Sequence, residues 1–362
     1  MGAPTVTARR PKVLLAFNRQ VYEDYFRPAD RERLSQFAAW EWLPLAGGQH
    51  FGANPDPAAR AALLARIEDA DGLVVCHGAP LIDAAILDGA PCLTIIGELE
   101  GDRFAERIDL DAAWARGVRT VDTTHGSSYP VAEWALALIL ISLRNAGEHF
   151  RRIIRHEEYR NPQTGWLPSR LQGKKVGLIG GGHIARRLVT YLAPFGCDIR
   201  VHDPYLPKVV AEVLGFLLTS LDFVMAESDV VVCLAPLTPA TRRMLGQREL
   251  DLLRPGSVFV NVSRGAIVDP AALIARLQRG DIVAGLDVFD PEPIPADSPI
   301  KELPNVFLSP HIAGANRGLE SFFALMVDEL DRHFHGHETL YDLTPRTRAN
   351  RTGTTPPPDE AR

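Results

Sequence analysis

Short, continuous apolar runs alternate with longer amphipathic stretches along most of the chain. Residues 13–17, 72–76, 92–97 and 118–121 are aliphatic, compact and bounded by polar or turn residues, a pattern that predicts strands. Between them, residues 58–70 place Ala61, Leu63, Leu64 and Ile67 at helical spacing, and residues 110–115 predict a second helix. A further series starts near Lys174, with runs at 176–179, 199–202, 230–234, 258–262, 283–286 and 306–308. Strands that are apolar throughout, separated by helical stretches, imply parallel sheets with both faces covered. Six strands after residue 174 are the number a complete dinucleotide-binding domain needs. The apolar helix predicted at 130–143, followed by the basic stretch 144–170, joins the two series. The longest apolar run, Trp134 to Leu143, is too short to span a bilayer. Residues 1–11 and 344–362 carry few apolar positions and are expected to be disordered.

Composition narrows the class. The 362 residues are 46% hydrophobic and 23% charged, which suits two folded domains at this length. A net charge of −6 argues against nucleic acid or an anionic membrane surface as a partner. Cys76, Cys92, Cys197 and Cys233 are scattered, and no apolar leader follows Arg9 and Arg10, so a cytoplasmic protein without disulfides is expected. His333, His335 and His337 stand at alternate positions in a predicted helix end, a poor set of ligands, and no metal site is expected.

The strand at 175–179 runs directly into Gly180-Gly181-Gly182-His183-Ile184-Ala185, a G-x-G-x-x-A sequence that opens a helix with Ile184, Leu188, Val189 and Leu192 on one face. Gly180 would make the tight turn, Gly182 would let backbone approach a pyrophosphate, and Ala185 would keep helix and strand close. His183 and Ile184, in the first helical turn, would contribute backbone N–H groups rather than side-chain chemistry. Asp203 closes the next strand, where a carboxylate would bond the adenosine ribose and repel a 2′-phosphate, so NAD is expected over NADP.

Three further residues fall at or just past predicted strand ends: Arg264, Glu292 and His311. Ligands collect at that edge of an open parallel sheet. An arginine there can clamp a carboxylate, a histidine can move a proton, and a carboxylate can orient the ring and stabilise its charged form.

With these motifs, and with Asp229-Val230-Val231, the loop from Ala235 to Thr241 and Leu253-Arg254-Pro255-Gly256, the chain from about residue 70 to 335 resembles the D-isomer-specific 2-hydroxyacid dehydrogenase family. The resemblance implies two doubly wound parallel-sheet α/β domains, a Rossmann NAD domain inserted into a flavodoxin-like catalytic domain. It places the catalytic domain at 12–122, completed by 317–343, and the NAD domain at 123–316. It implies that Arg264, Glu292 and His311 are catalytic, with Arg264 also holding the substrate carboxylate. It implies NAD contacts at Ala235, Pro236 and Thr241 on the adenine side, and at Val262, Ser263, Asp287 and Gly314 around the nicotinamide. The family's substrate loop would here involve Gly97, Glu98 and Gly101, in a stretch longer and more acidic than the family's Gly-x-Gly. The resulting expectation is an NAD-dependent oxidoreductase of a 2-oxo or D-2-hydroxy acid, usually a homodimer. The alternatives are an NAD-sensing interaction protein of corepressor type and a dehydrogenase acting on a non-carboxylate oxyanion.

Overall fold

The computed structural model describes residues 9–47, 52–100, 107–158, 169–314 and 320–354. The chain divides into two compact units, Met1–Ser127 with Arg317–Arg348, and Ser128–Asn316 with Ala349–Arg362. Both units are parallel sheets flanked by helices, an α/β architecture.

The first unit holds β1 (Lys12–Phe17), β2 (Ala39–Pro44), β3 (Gly72–Val75), β4 (Ile95–Glu98) and β5 (Arg119–Asp122) in the order β2-β1-β3-β4-β5. That is the flavodoxin-like order, with its reversal between β1 and β3. Successive residues of β1 point to opposite faces. Leu14 and Ala16 pack with Leu63, Ile67, Ile86 and Ala113. Val13, Leu15 and Phe17 pack with Phe322, Phe323, Met326 and Leu330 of the helix Glu320–Phe334. The late helix thus covers a sheet made by the start of the chain. The edge strand β2, absent from the hydrophobic pattern, carries Ala39-Trp40-Glu41-Trp42-Leu43-Pro44, with no residue fully buried. The predicted helix 58–70 is shorter, Pro57–Leu64, started by Pro57 and the Asp56 cap.

The second unit holds β6 (Lys175–Ile179), β7 (Asp198–His202), β8 (Leu217–Leu218), β9 (Val230–Cys233), β10 (Val258–Asn261), β11 (Val283–Leu286) and β12 (Val306–Leu308), ordered β12-β11-β10-β9-β6-β7-β8. The six expected strands are present, and the two-residue β8 extends the edge. Counted from β6, this is the Rossmann order with one strand added, reversing between β6 and β9. The apolar helix Ser128–Ser142 and the helix His183–Leu192 share one face of this sheet. Among the described residues no single helix is long and apolar enough to cross a membrane.

Three boundary expectations are corrected. The junction expected at 122/123 lies at Ser127/Ser128, because the turn Thr124–Ser127 packs on the helix Glu320–Phe334 within the first unit. Residues 345–352, expected to be disordered, form the helix Pro345–Thr352: Thr347 N donates to Thr344 Oγ1 at 3.2 Å and Pro345 presets the first turn. At the other end, Arg9 pairs with Asp71 at 2.7 Å and Pro11 accepts from Ala39 N, so order begins before β1. Residues 1–8 and 355–362 lie outside the described residues.

Candidate active site

The glycine loop of the second unit follows β6. Gly180 has φ +99°, and a Cβ built there would lie 2.9 Å from Ala235 N, so only glycine fits this turn. Gly182 is the N-cap of the helix His183–Leu192 and offers no side-chain cap; a Cβ built on it would meet nothing within 4 Å. A helix start with no side-chain cap and room beside its N-cap suits a pyrophosphate. Ile184 is buried, so this turn presents backbone, with His183 partly exposed beside it. Asp203 stands one residue past β7, where its Oδ2 accepts from Gly181 N and its Oδ1 from Tyr205 N, both at 2.8 Å. Each oxygen keeps a second lone pair, enough for a ribose diol. The residues present fit a dinucleotide.

The loop after β9 is held by its own hydroxyls. Thr241 Oγ1 donates to Pro236 O at 2.7 Å and accepts from Thr238 N at 2.7 Å, and Ser263 Oγ donates to Ala235 O. Thr241 and Ser263 thus brace the loop that Ala235 and Pro236 present.

Arg264, Glu292 and His311 follow β10, β11 and β12, three adjacent strands of one sheet. Arg264 is partly exposed, with Nη1 donating to Ser263 O at 2.8 Å. Glu292 reaches back to His311, where Oε1 and Nδ1 lie 2.7 Å apart; the exposed imidazole keeps Nε2 for a reacting group. His311 has φ +55°, a left-handed conformation that residues with side chains rarely adopt.

Asp287 explains how that conformation persists. It is fully buried, and its carbonyl accepts from His311 N at 2.8 Å. Its carboxylate accepts from Ser309 Oγ at 2.5 Å, Ile312 N at 3.0 Å and Ala313 N at 2.9 Å. The resemblance implied a nicotinamide contact for Asp287; the structure engages both its oxygens in fixing residues 309–313. Val262 and Ala313 are buried close in sequence to Arg264 and His311, and Gly314 is the last described residue of this loop. Sequence reasoning missed Ser309 and Trp134, whose Nε1 donates to Ser309 Oγ at 3.1 Å. Their signal was weak: a tryptophan in an apolar helix reads as core.

In the first unit the expected substrate loop is corrected. Gly97 lies inside β4, where a built Cβ would sit 2.2 Å from Met326 Sδ, so its small size serves helix packing. Glu98 is fully buried and paired with Arg107 Nη1 at 2.8 Å. Leu99 N still bonds β3, donating to Val75 O, so the free loop starts at Glu100. Glu100 accepts from Tyr25 Oη and lies 3.4 Å from His77 Nε2. Burial, then the charge of Glu100, holds the Tyr25 hydroxyl protonated far above its ordinary range. Gly101 lies outside the described residues. Among the described residues no group of histidine, cysteine or acidic side chains could hold a metal.

Residues 136–313 match the family model for the D-isomer specific 2-hydroxyacid dehydrogenase NAD binding domain. A D-3-phosphoglycerate dehydrogenase of Mycobacterium leprae is 35% identical over 257 residues, covering 71% of this chain and 47% of that protein. The chain therefore spans about half the length of the phosphoglycerate dehydrogenases it matches. A glyoxylate reductase of Aeropyrum pernix is 34% identical over 275 residues, covering 74% of this chain and 80% of that protein. A crystal structure of a phosphoglycerate oxidoreductase from Rhizobium etli covers 92% of this chain and 98% of its own, with a TM-score of 0.78; at 24% identity it speaks for the fold.

Proposed function

The chain belongs to the D-isomer specific 2-hydroxyacid dehydrogenase family, and on that premise we propose that it is an NAD-dependent oxidoreductase interconverting a 2-oxo acid and a D-2-hydroxy acid. The observation that carries this reading is the His311–Glu292 pair, 2.7 Å apart, on the strand edge that also presents Arg264. Gly180, Gly182 and the first turn of the helix His183–Leu192 would hold the pyrophosphate, and Asp203 the adenosine ribose. Bound NADH supplies a hydride from its nicotinamide to the carbonyl carbon. Arg264, a planar donor, fixes the carboxylate of the substrate and polarises the adjacent carbonyl. His311 gives its Nε2 proton to the carbonyl oxygen as charge develops there, while Glu292 holds the Nδ1 proton and sets the ring's orientation. In the reverse direction the same nitrogen takes the hydroxyl proton. Asp287 keeps the His311 backbone in place.

A homodimer is part of the proposal. The helix Ala146–Ile154 exposes Phe150, Ile153 and Ile154, at 63%, 51% and 58%, on one face at helical spacing. Such a row is costly in water and supports association with a second copy. Four free thiols support a reducing, cytoplasmic location, and the net charge of −6 supports a small-molecule partner over nucleic acid or membrane. The test is oxidation of NADH by the purified chain against a panel of 2-oxo acids, including glyoxylate, pyruvate and hydroxypyruvate. Turnover of at least one supports the reading; tight NADH binding with no turnover across the panel overturns it.

A further inference from the structure

The glycine loop, the Asp203 turn and the Ala235 loop account for a dinucleotide, yet the second unit also contains the far end of the chain, Ala349–Arg362. Its described part is tied down. Ala349 and Arg351 are buried, and Thr354 N donates to Ala349 O at 3.0 Å, closing the helix Pro345–Thr352. Beyond that helix the chain touches two loops. Tyr205, two residues past Asp203 in the loop after β7, donates its hydroxyl to Thr354 O at 3.0 Å. Gly353, at φ +70°, lies against the loop after β9: a Cβ built on it would sit 2.9 Å from Ala240 Cβ, 3.0 Å from Ala240 N and 3.2 Å from Thr238 Oγ1. Only glycine allows so close an approach in that conformation.

The loops after β7 and β9 follow the two strands on either side of β6. They flank the point where the sheet order reverses, which is where an open parallel sheet binds its ligand. Tyr205 is fixed to Asp203 through its own N–H, so the hydroxyl that meets the chain end belongs to the same turn as the ribose-facing carboxylate. Ala240 and Thr354 are both exposed, so the contact lies at the surface of the second unit.

We propose that residues 353–354 form a strap joining the two walls of the adenosine pocket, and that this strap is part of the dinucleotide site. It holds the loops after β7 and β9 at their working separation before the ligand arrives, so less ordering is left for binding to bring about. The effect falls on the adenosine half of the cofactor. This inference rests on the second unit binding a dinucleotide at its glycine loop.

The test measures dissociation constants of NADH and of ADP-ribose by titration calorimetry on the full chain, on a chain ended at Thr352, on Gly353→Val and on Tyr205→Phe. Losing one hydrogen bond or the glycine contact should weaken ADP-ribose by roughly three- to tenfold, and NADH by the same factor. The two point variants keep the test valid should the shortened chain fold poorly. Unchanged or tighter ADP-ribose binding in Gly353→Val and Tyr205→Phe would overturn the strap while leaving the dinucleotide site intact. Failure of the unaltered chain to bind either ligand would overturn the dinucleotide site, and the strap with it.

Discussion

The backbone N–H of His311 donates to the carbonyl of Asp287 at 2.8 Å, and the Asp287 carboxylate, fully buried, takes the N–H groups of Ile312 and Ala313. One aspartate thus fixes the strained turn that carries the imidazole. Asp287→Ala leaves two backbone donors and the Ser309 hydroxyl without their acceptor. It should cost about 2–4 kcal/mol of stability and lower kcat with it. Denaturant unfolding and steady-state kinetics check both; an unfolding midpoint equal to wild type would refute the positioning role.

For His311 itself, His311→Gln removes the proton donor and keeps a side chain of similar size. We expect kcat to fall by about a hundredfold or more with NADH affinity nearly unchanged. Turnover at the wild-type rate would remove His311 from the acid/base role.

Asp203 bonds Gly181 N and Tyr205 N, and in the proposed site it would also bond the ribose. Asp203→Ala should weaken NADH binding by about 1–3 kcal/mol and narrow the preference over NADPH. Fluorescence titration with both cofactors decides; a wild-type preference for NADPH would contradict the assignment.

Glu98 and Arg107 form an ion pair with both side chains almost wholly out of water. Breaking such a pair typically costs about 3–5 kcal/mol, so Glu98→Ala should destabilise the protein by that order. Glu98→Gln, which keeps the shape, should leave the kcat/KM ranking of pyruvate against oxaloacetate as in wild type. A changed ranking would mean that Glu98 senses substrate charge after all.

His333 has its pKa held below the ordinary 6.5, first by burial and then by Arg119, with Asp342 opposing. The unfolded chain therefore binds this proton more readily than the folded one. Stability from this group is present above about pH 6.5 and is lost as pH falls toward the lowered folded value. His333→Gln, which can still meet the Thr94 hydroxyl that faces Nε2 at 2.9 Å, should lose less stability between pH 7 and pH 5 than wild type. Parallel urea titrations across that range measure the difference; equal slopes would refute it.

Local sequence indicated most strands of both sheets, the glycine turn after β6 and the candidate catalytic side chains. Buried parallel strands are apolar along their whole length, and glycine, aspartate, arginine and histidine at strand ends carry chemistry that neighbours cannot replace. The edge strand β2 escaped because its residues are only half-covered and lack a clear period. The helix Pro345–Thr352 escaped because its evidence is a Thr-Pro cap rather than an apolar stripe. Tertiary structure alone decided that Gly97 yields to Met326, that Glu98 spends its charge on Arg107, and that Asp287 holds the turn of His311. The reason is physical: an acid or a glycine looks the same in sequence whether it faces a ligand or a partner side chain, and only packing places the partner beside it.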